Sequence, residues 1–464
     1  MSGPHVITRK DIYLARGSRF ATLDERMVAG RAIRKQVPRT SQAAWAPAMN
    51  RPDPVALLDR QNETRVPDLV PLRWGRMLES PFAFLRGSAL VMANDLVATP
   101  NSGVRVQACG DCHLLNFGVY ATPERNLLFD INDFDETAPA PWEWDIKRLA
   151  ASLDVASRYR SFSSATAANL VRAMVESYRE HMHEFAHMPA LQLWYSRLDL
   201  ATAMQRFAKT AQGRREMKRS VEQARRRTPE SALIRLTKVV DGRRRLLDNP
   251  PVLFHLREKR GHPLLNAVFD SYFATLRAEL RLLLGRYRVV DFAIKVVGVG
   301  SVGTRCGVVL LMADDNDSLL LQIKEANPSV LDVYAGRSQY KNHGQRVVVG
   351  QRTIQAASDI FLGWTHLRGR DYYVRQLRDM KWSLDPDQAG VKRLERYARG
   401  CGATLARAHA RAADAAVIAG YLGRGDVFDE AMVEFAQGYG DQTERDYESL
   451  RTAIKKRRIK IKRG

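Results

Sequence analysis

Cysteine is scarce in this sequence, with Cys109, Cys112, Cys306 and Cys401 the only four in 464 residues. Four cannot staple a chain of this size, so a disulfide scaffold is excluded and reducing cytosol is the expected compartment. Long apolar runs are lacking too. The longest, such as VVLLMA at Val308 to Ala313, are strand-sized and fall short of the roughly 18 residues of a membrane-spanning helix. The opening MSGPHVITRKDIYLARGSRF has no apolar stretch followed by a cleavage site, so no export signal is expected. Negative charge is in short supply, with 51 Asp and Glu against 73 Lys and Arg, a formal net charge of +22. Such an excess attracts polyanions, nucleotides or anionic lipid without choosing among them.

What is present is ordinary globular material, 45% hydrophobic and 27% charged, which sets disorder, collagen and a long coiled coil aside. Residues 1 to about 80, rich in Arg and Pro, predict an irregular arm with a few short helices. FAFLRGSALVMANDLVATP predicts a helix, and VRVQACGDCHLLNFGVY with RNLLFDINDFDE predicts short buried strands joined by loops. Two helices are expected over 142–159 and 165–188. From Arg206 to Arg260 there are 17 Lys/Arg and 6 Asp/Glu, a net of 17 − 6 = +11, read either as a solvated face or as a polyanion contact. Strands then dominate from Arg288 to about Lys381, with one helix around Arg346 to Ile360. Residues 391–421 predict an Ala-rich helical stretch broken near Gly400 and Gly402, and KKRRIKIKRG from Lys455 predicts a mobile basic tail.

Two clusters carry chemistry. The first is CGDCHLLNFG (Cys109 to Gly118) followed by FDINDFDE (Phe129 to Glu136), in which a hairpin would gather Asp111, Asn116, Asp133 and Asp135 at one end. Carboxylates crowded this way repel unless a cation is present, and oxygen donors with one amide suit Mg²⁺ or Mn²⁺. The bland alternative is that these acids cap turns or pair with the many arginines. The second is VVGVGSVGTRCGVVLL with LLLQIKEA. Gly298, Gly300 and Gly303 lie between two apolar strands, so their loop either covers phosphates with its backbone N–H groups or is merely a tight turn. Lys324 is a lone cation in a buried-looking strand, which favours a functional role. C-x-x-C-H at Cys109 to His113 spells a haem-attachment pattern, but without an export signal it reads better as a loop fixed by His113.

GDCHLLNFG resembles the G-D-x-H-x-x-N catalytic loop of aminoglycoside-phosphotransferase-type and choline-kinase-type enzymes, and INDFDE resembles their metal-binding I-D-F-D-D segment. WEWDIKRLAAS resembles the helix that follows, with Asp145 matching an acid that braces the catalytic loop. VGVGSVGT looks like the nucleotide-covering loop, Lys324 like the phosphate-gripping lysine, YYVRQL like the strand leading to the hinge, and ATLARAHARA like the helix preceding the catalytic loop. Over most of residues 30 to 440, including RPDP (Arg51 to Pro54), SPFAFLRG and RDYYVRQLRDMK, the chain resembles domain-of-unknown-function family 2252, grouped with kinase-like folds.

The resemblance implies an α+β, two-lobed kinase-like fold, a small antiparallel-sheet lobe with a larger, mostly helical lobe. Here the catalytic motif precedes the glycine loop by nearly 190 residues, so that fold would be circularly permuted. The implied divisions are 1–80 (arm), 81–287 (first part of the large lobe), 288–382 (small lobe), 383–454 (helices completing the large lobe) and 455–464 (tail). The helix ending near His409 would then lie beside the loop at Asp111.

The implied activity is ATP- and Mg²⁺-dependent phosphotransfer to a small molecule or a protein. Asp111, His113 and Asn116 would form the catalytic loop, Asn116, Asp133 and Asp135 the metal site, and Gly298, Gly300, Ser301, Gly303 and Lys324 the nucleotide site. No Glu in the 345–359 helix is available to pair with Lys324; Gln351, Gln355 and Asp359 are the nearby substitutes, and Glu325 should point to the opposite strand face. Adenylyl transfer, a nucleotide-binding pseudo-enzyme, and a basic protein binding nucleic acid through 206–260 and 455–463 stand as alternatives.

Overall fold

Strand-length apolar runs in the second half of the chain build the largest sheet, whose central strands are buried on both faces. The computed structural model of the protein describes residues 21–208, 210–255, 268–377 and 382–462. Residues 1–20 of the expected arm, 256–260 of the basic stretch, 378–381 of the strand-rich region and 463–464 of the tail lie outside the described residues.

The architecture is α+β. The early strands pair in twos: β1 (Arg105–Ala108) with β4 (Ala138–Pro141), and β2 (Phe117–Ala121) with β3 (Leu127–Ile131) as a hairpin. A second small hairpin joins β5 (Thr237–Val240) to β6 (Arg243–Leu246). The main sheet has six strands and collects β7 (Leu253–Phe254), β8 (Arg288–Lys295), β9 (Cys306–Met312), β10 (Ser318–Glu325), β11 (Gly363–Leu367) and β12 (Arg370–Gln376). All its pairings are antiparallel and its order is β11-β12-β10-β9-β8-β7.

Successive residues of β10 point to opposite faces. Leu319, Leu321 and Ile323 join Val309, Leu311 and Val374 in a cluster with Tyr272, Leu280 and Phe361. On the other face, Leu320 joins Val308 and Leu310 under Ala232 and Leu246, so the basic 206–255 region is partly a cover for the sheet. Lys324 shares that second face, opposite Tyr373 of β12 and Cys306 of β9.

The helical body packs around Trp142–Tyr159, whose first turn carries Glu143 and Asp145, the sign of charge a helix N-terminus favours. Ser163 caps the next helix, Ser164–Ala186, by accepting from Thr166 N at 3.2 Å. Against it lies Val391–Ala412, which continues unbroken through Gly400 and Gly402, contrary to the break expected there. The reason is proximity rather than flexibility. A Cβ on Gly402 would fall on the Met174 carbonyl oxygen, so the glycine lets two long helices touch backbone to backbone.

Two further expectations are corrected. Pro81–Gly87 and Ala89–Leu96 are separate helices that meet at Ser88, not one, and the helix of the strand-rich region is His343–Ile354, ending six residues early. The tail is not loose over its described part: Ile459 and Ile461 pack on the Val55–Trp74–Phe84 cluster, and Lys462 N donates to Pro71 O at 2.9 Å. Among the described residues, no helix is long and apolar enough to cross a membrane.

Candidate functional site

The β2–β3 register sets Phe117 opposite Ile131, so the residues just outside the hairpin, Asn116 and Asn132–Asp133, come together at its open end. Asn132 N donates to Asn116 O at 2.7 Å and closes that end. The loop before Asn116 is fixed from beneath. Asp145 accepts from Cys109 N at 2.6 Å and Gly110 N at 3.0 Å. His409 Nε2 lies 3.2 Å from Asp145 Oδ2, and Tyr178 Oη lies 2.9 Å from His409 Nδ1. Nε2–H donating to Asp145 while Nδ1 accepts from Tyr178 satisfies all three groups. The helix carrying His409 therefore sits beside the Asp111 loop although nearly 300 residues separate them. Gly110 has φ +86°, and a Cβ there would overlap the Glu136 carbonyl; only glycine lets this loop approach the DFDE segment so closely.

Asp111 is oriented by Arg148, whose Nε donates at 2.6 Å to Oδ1, while Nη2 of the same guanidinium donates to Leu85 O at 2.9 Å. His113 Nε2 lies 3.9 Å from Asp111 Oδ2. Burial lowers the His113 pKa to about 3, so the ring is neutral at ordinary pH, and its Nδ1 accepts from Leu115 N at 3.2 Å. Its part is to hold the loop.

Lys324, with a side chain only 2% exposed, reaches across from β10 to the acidic segment. Its ammonium meets Asp135 Oδ2 and stands 3.9 Å from Asp133 Oδ1. Burial would lower its pKa, but Asp133 and Asp135 outweigh burial and hold it well above the usual lysine value. Asp135 receives two more donors, Tyr373 O–H at 2.8 Å on Oδ1 and Ser301 O–H at 3.1 Å on Oδ2. Asp133, 37% exposed at its side chain, is more open than Asp135 at 25% or Asp111 at 21%.

Among the described residues, none of the three expected substitutes pairs with the lysine. Gln351 donates to Gln355, Gln355 donates to Ile131 O, and Asp359 accepts from Gln376 N. Glu325, on the opposite face, pairs with Arg305 at 3.3 Å and Arg370 at 2.7 Å. The helix contributes Arg346 instead, which donates to the carbonyls of Asp135 and Asn327 at 2.8 Å and of Thr137 at 2.6 Å.

The glycine loop is the β8–β9 turn. Gly298 (φ +65°) and Gly303 (φ +89°) need positive φ; Gly300 does not. Its outer edge is pinned: Arg76 Nη1 donates to Gly298 O at 2.5 Å, Arg65 Nη1 to Val302 O at 2.5 Å and Val66 N to Gly303 O at 2.8 Å. Gly298, Gly300 and Ser301 face the crevice, whereas Gly303 lies against the Arg65 side chain.

The crevice consists of two cavities that meet at Asn132, Asp133, Gly298, Ser301 and Arg375. One, of about 680 Å³, contains Lys324, Gln322, the end of β12 and Lys295–Gly298. The other, of about 430 Å³, is floored by Asp111 and Asn116 and walled by Arg65, Arg73 and Arg86. Glu136 lies in it as well, its carboxyl raised by burial to about 7 while accepting from Val330 N at 2.7 Å. An apolar cavity of about 90 Å³ around Leu127, Met217 and Trp382 shares no lining residue with either.

Sequence reasoning missed Arg148, Tyr373, Arg375 and the wall arginines Arg65, Arg73 and Arg86. Tyr373 and Arg375 could have been found from strand alternation, since they sit opposite Lys324 and Gln322 in register. The wall arginines carry no local signal in a chain with 73 basic residues. All four cysteines are unpaired thiols and buried, and among the described residues no cluster of three His, Cys, Asp or Glu side chains stands ready for a metal ion. The donors at the crevice, the Asp133 carboxylate and the Asn116 amide oxygen, fit a hard cation that completes its shell with phosphate and water, not zinc.

The family model described as "Uncharacterized protein conserved in bacteria (DUF2252)" matches residues 65–453. No curated protein and no solved structure matches the chain.

Proposed function

We propose, from the premise that this chain belongs to the DUF2252 family, that it is an ATP- and Mg²⁺-dependent phosphotransferase with a circularly permuted, kinase-like two-lobed arrangement. The observation that carries the reading is the convergence of Asp133 and Asp135 with Lys324 and Ser301, contributed about 170–190 residues later, on one crevice beside Asp111. Opposite charges brought together across such a distance in sequence suit the handling of a phosphate chain, whose transfer needs positioning and charge neutralisation more than covalent help.

The nucleotide would lie in the larger cavity with its phosphates under Gly298, Gly300 and Ser301, where Lys324 and Arg375 meet their charge. Asp133 and the Asn116 amide oxygen would hold Mg²⁺, which supplies neutralisation of the phosphate oxygens. Asp111, aimed by Arg148, accepts the proton of the acceptor hydroxyl as its oxygen bonds to the γ-phosphorus. The bond from that phosphorus to the β–γ bridging oxygen breaks, and ADP leaves with the electron pair. Asp135, already bonded by Tyr373 and Ser301, sets the lysine rather than the metal.

Thermal stabilisation by ATP that requires Mg²⁺ and is lost in Asp133→Ala tests the reading. A metabolite extract incubated with γ-labelled ATP should yield a labelled product; label transferred only from the α-position would mean adenylyl transfer, and stabilisation without any transfer would mean a nucleotide-binding pseudo-enzyme.

A further inference from the structure

The cavity of about 430 Å³ has the size of a small-metabolite pocket, and its charges do not balance within the protein. Four of its carboxylates are paired, Asp111 with Arg148, Asp133 and Asp135 with Lys324, and Glu325 with Arg305 and Arg370, while burial raises the carboxyl of the fifth, Glu136, to about 7. The arginines on its far wall are not paired in this way. Among the described residues, no carboxylate lies within 4.0 Å of the guanidinium of Arg65, Arg73 or Arg86.

Arg73, completely buried, donates only to neutral oxygens, those of Asn62, Gln61 and Gly87. Arg65, 8% exposed, donates to the Val302 carbonyl. Arg86 makes no side-chain hydrogen bond among the described residues, and its guanidinium rests 5.9 Å from the centre of the Phe82 ring. The Nε atoms of all three are buried without a partner. Burial lowers the pKa of each, that of Arg65 to about 10, and Arg65 further depresses Arg73; Glu136 acts against the fall at Arg65 and Arg73 and Asp111 at Arg86, without reversing it, and Arg65 remains charged at neutral pH.

A buried cation without an ion-pair partner is costly to keep unless something offsets it. Planar guanidinium forks are suited to the paired oxygens of phosphate and carboxylate. The nucleotide's phosphates do not account for the cluster, because the larger cavity has its own cations in Lys324 and Arg375 and none of the three arginines lines it.

We propose that Arg65, Arg73 and Arg86 bind a phosphate or carboxylate group of the acceptor, which is thereby a hydroxyl compound carrying a fixed negative charge. The assignment rests on the phosphotransfer reading for the word acceptor, while the anion site itself can be tested without nucleotide. With the anion seated at the arginines, the rest of a small acceptor spans the cavity toward Asp111 and presents a hydroxyl there.

The test is thermal stabilisation by inorganic phosphate, glycerol 3-phosphate, glycerate and uncharged glycerol, each without nucleotide or Mg²⁺. Wild type should respond to the three anions and not to glycerol. A stronger response to glycerol 3-phosphate than to glycerate marks a phosphate site, and the reverse a carboxylate site. Arg86→Met should weaken anion binding by about tenfold or more, some 1.4 kcal/mol, and leave stabilisation by Mg-ATP unchanged. Asp133→Ala should lose the Mg-ATP response and keep that to phosphate. If Arg86→Met does not fold, Arg65→Gln serves as the second variant. No stabilisation by any anion, equal anion affinity in the variant, or displacement of phosphate by Mg-ATP overturns the proposal. Phosphate binding intact in a wild type that ignores Mg-ATP overturns the phosphotransfer reading, and the acceptor role with it, but not the anion site.

Discussion

The two ends of the crevice handle buried charge in opposite ways. At the Lys324 end the ammonium faces two carboxylates, Tyr373 and Ser301 complete Asp135, and Arg375 alongside donates to Gln322 and the Asn132 carbonyl. At the Arg73 end, among the described residues, no carboxylate comes within ion-pairing distance, and Arg65 and Arg73 donate to amide and carbonyl oxygens. A matched pair is stable by itself and must be opened before it can act on a ligand, whereas an unmatched cation is set for an anion in advance and destabilises the protein until one arrives. Reorganisation is needed at one end and occupancy at the other.

This contrast can be broken by removing one member of each set. Asp133→Ala should lower phosphotransfer by roughly 10²–10³-fold, the usual effect of deleting one preorganised electrostatic contact, and labelled-phosphate transfer measures it. Lys324→Met removes the cation of a matched set, so it should cost about 3–5 kcal/mol of folding stability by denaturant titration. Added Mg²⁺ should return part of that loss by supplying the missing positive charge. A Lys324→Met protein as stable as wild type would erase the distinction between the two ends.

Arg86→Met probes the unmatched end and should be neutral or raise the melting temperature slightly, since no side-chain partner is orphaned among the described residues. A drop of more than about 2 kcal/mol would make Arg86 a structural residue. The smallest effect belongs to the surface. His255 lies between Asp248 at 2.9 Å and Asp291 at 3.2 Å; burial lowers its pKa, but the two carboxylates outweigh it and the net shift is upward. A raised folded-state pKa means that the pair stabilises in full below about pH 6.5 and that this is lost as pH rises through the folded value. The pH dependence of the melting temperature should therefore flatten in His255→Gln.

What the sequence made legible follows the same division. Period-two alternation in LLLQIKEA separates Lys324 from Glu325, and the structure puts them on opposite faces with different partners. The DINDFDE spacing announced a hairpin end, because a short strand pair leaves its flanking residues few places to go. Contacts across the chain were less visible. Gly400 and Gly402 read as helix breakers, since nothing local reveals that Met174 lies against the second of them. The tail read as mobile because its lysines hide two isoleucines that dock on the arm. The arginine wall was invisible for a statistical reason: three positions among 73 cannot be singled out until folding places them on one cavity.

The pinned outer edge of the glycine loop has a kinetic consequence. Three carbonyls of the cover are tethered to the arm at Arg76, Arg65 and Val66, so the roof cannot swing upward as a free flap without severing those tethers. If a nucleotide occupies the larger cavity, it would come and go on the side of Lys295 and the end of β12 without the roof lifting. Cutting the tethers would free the roof, add a second route and quicken exchange.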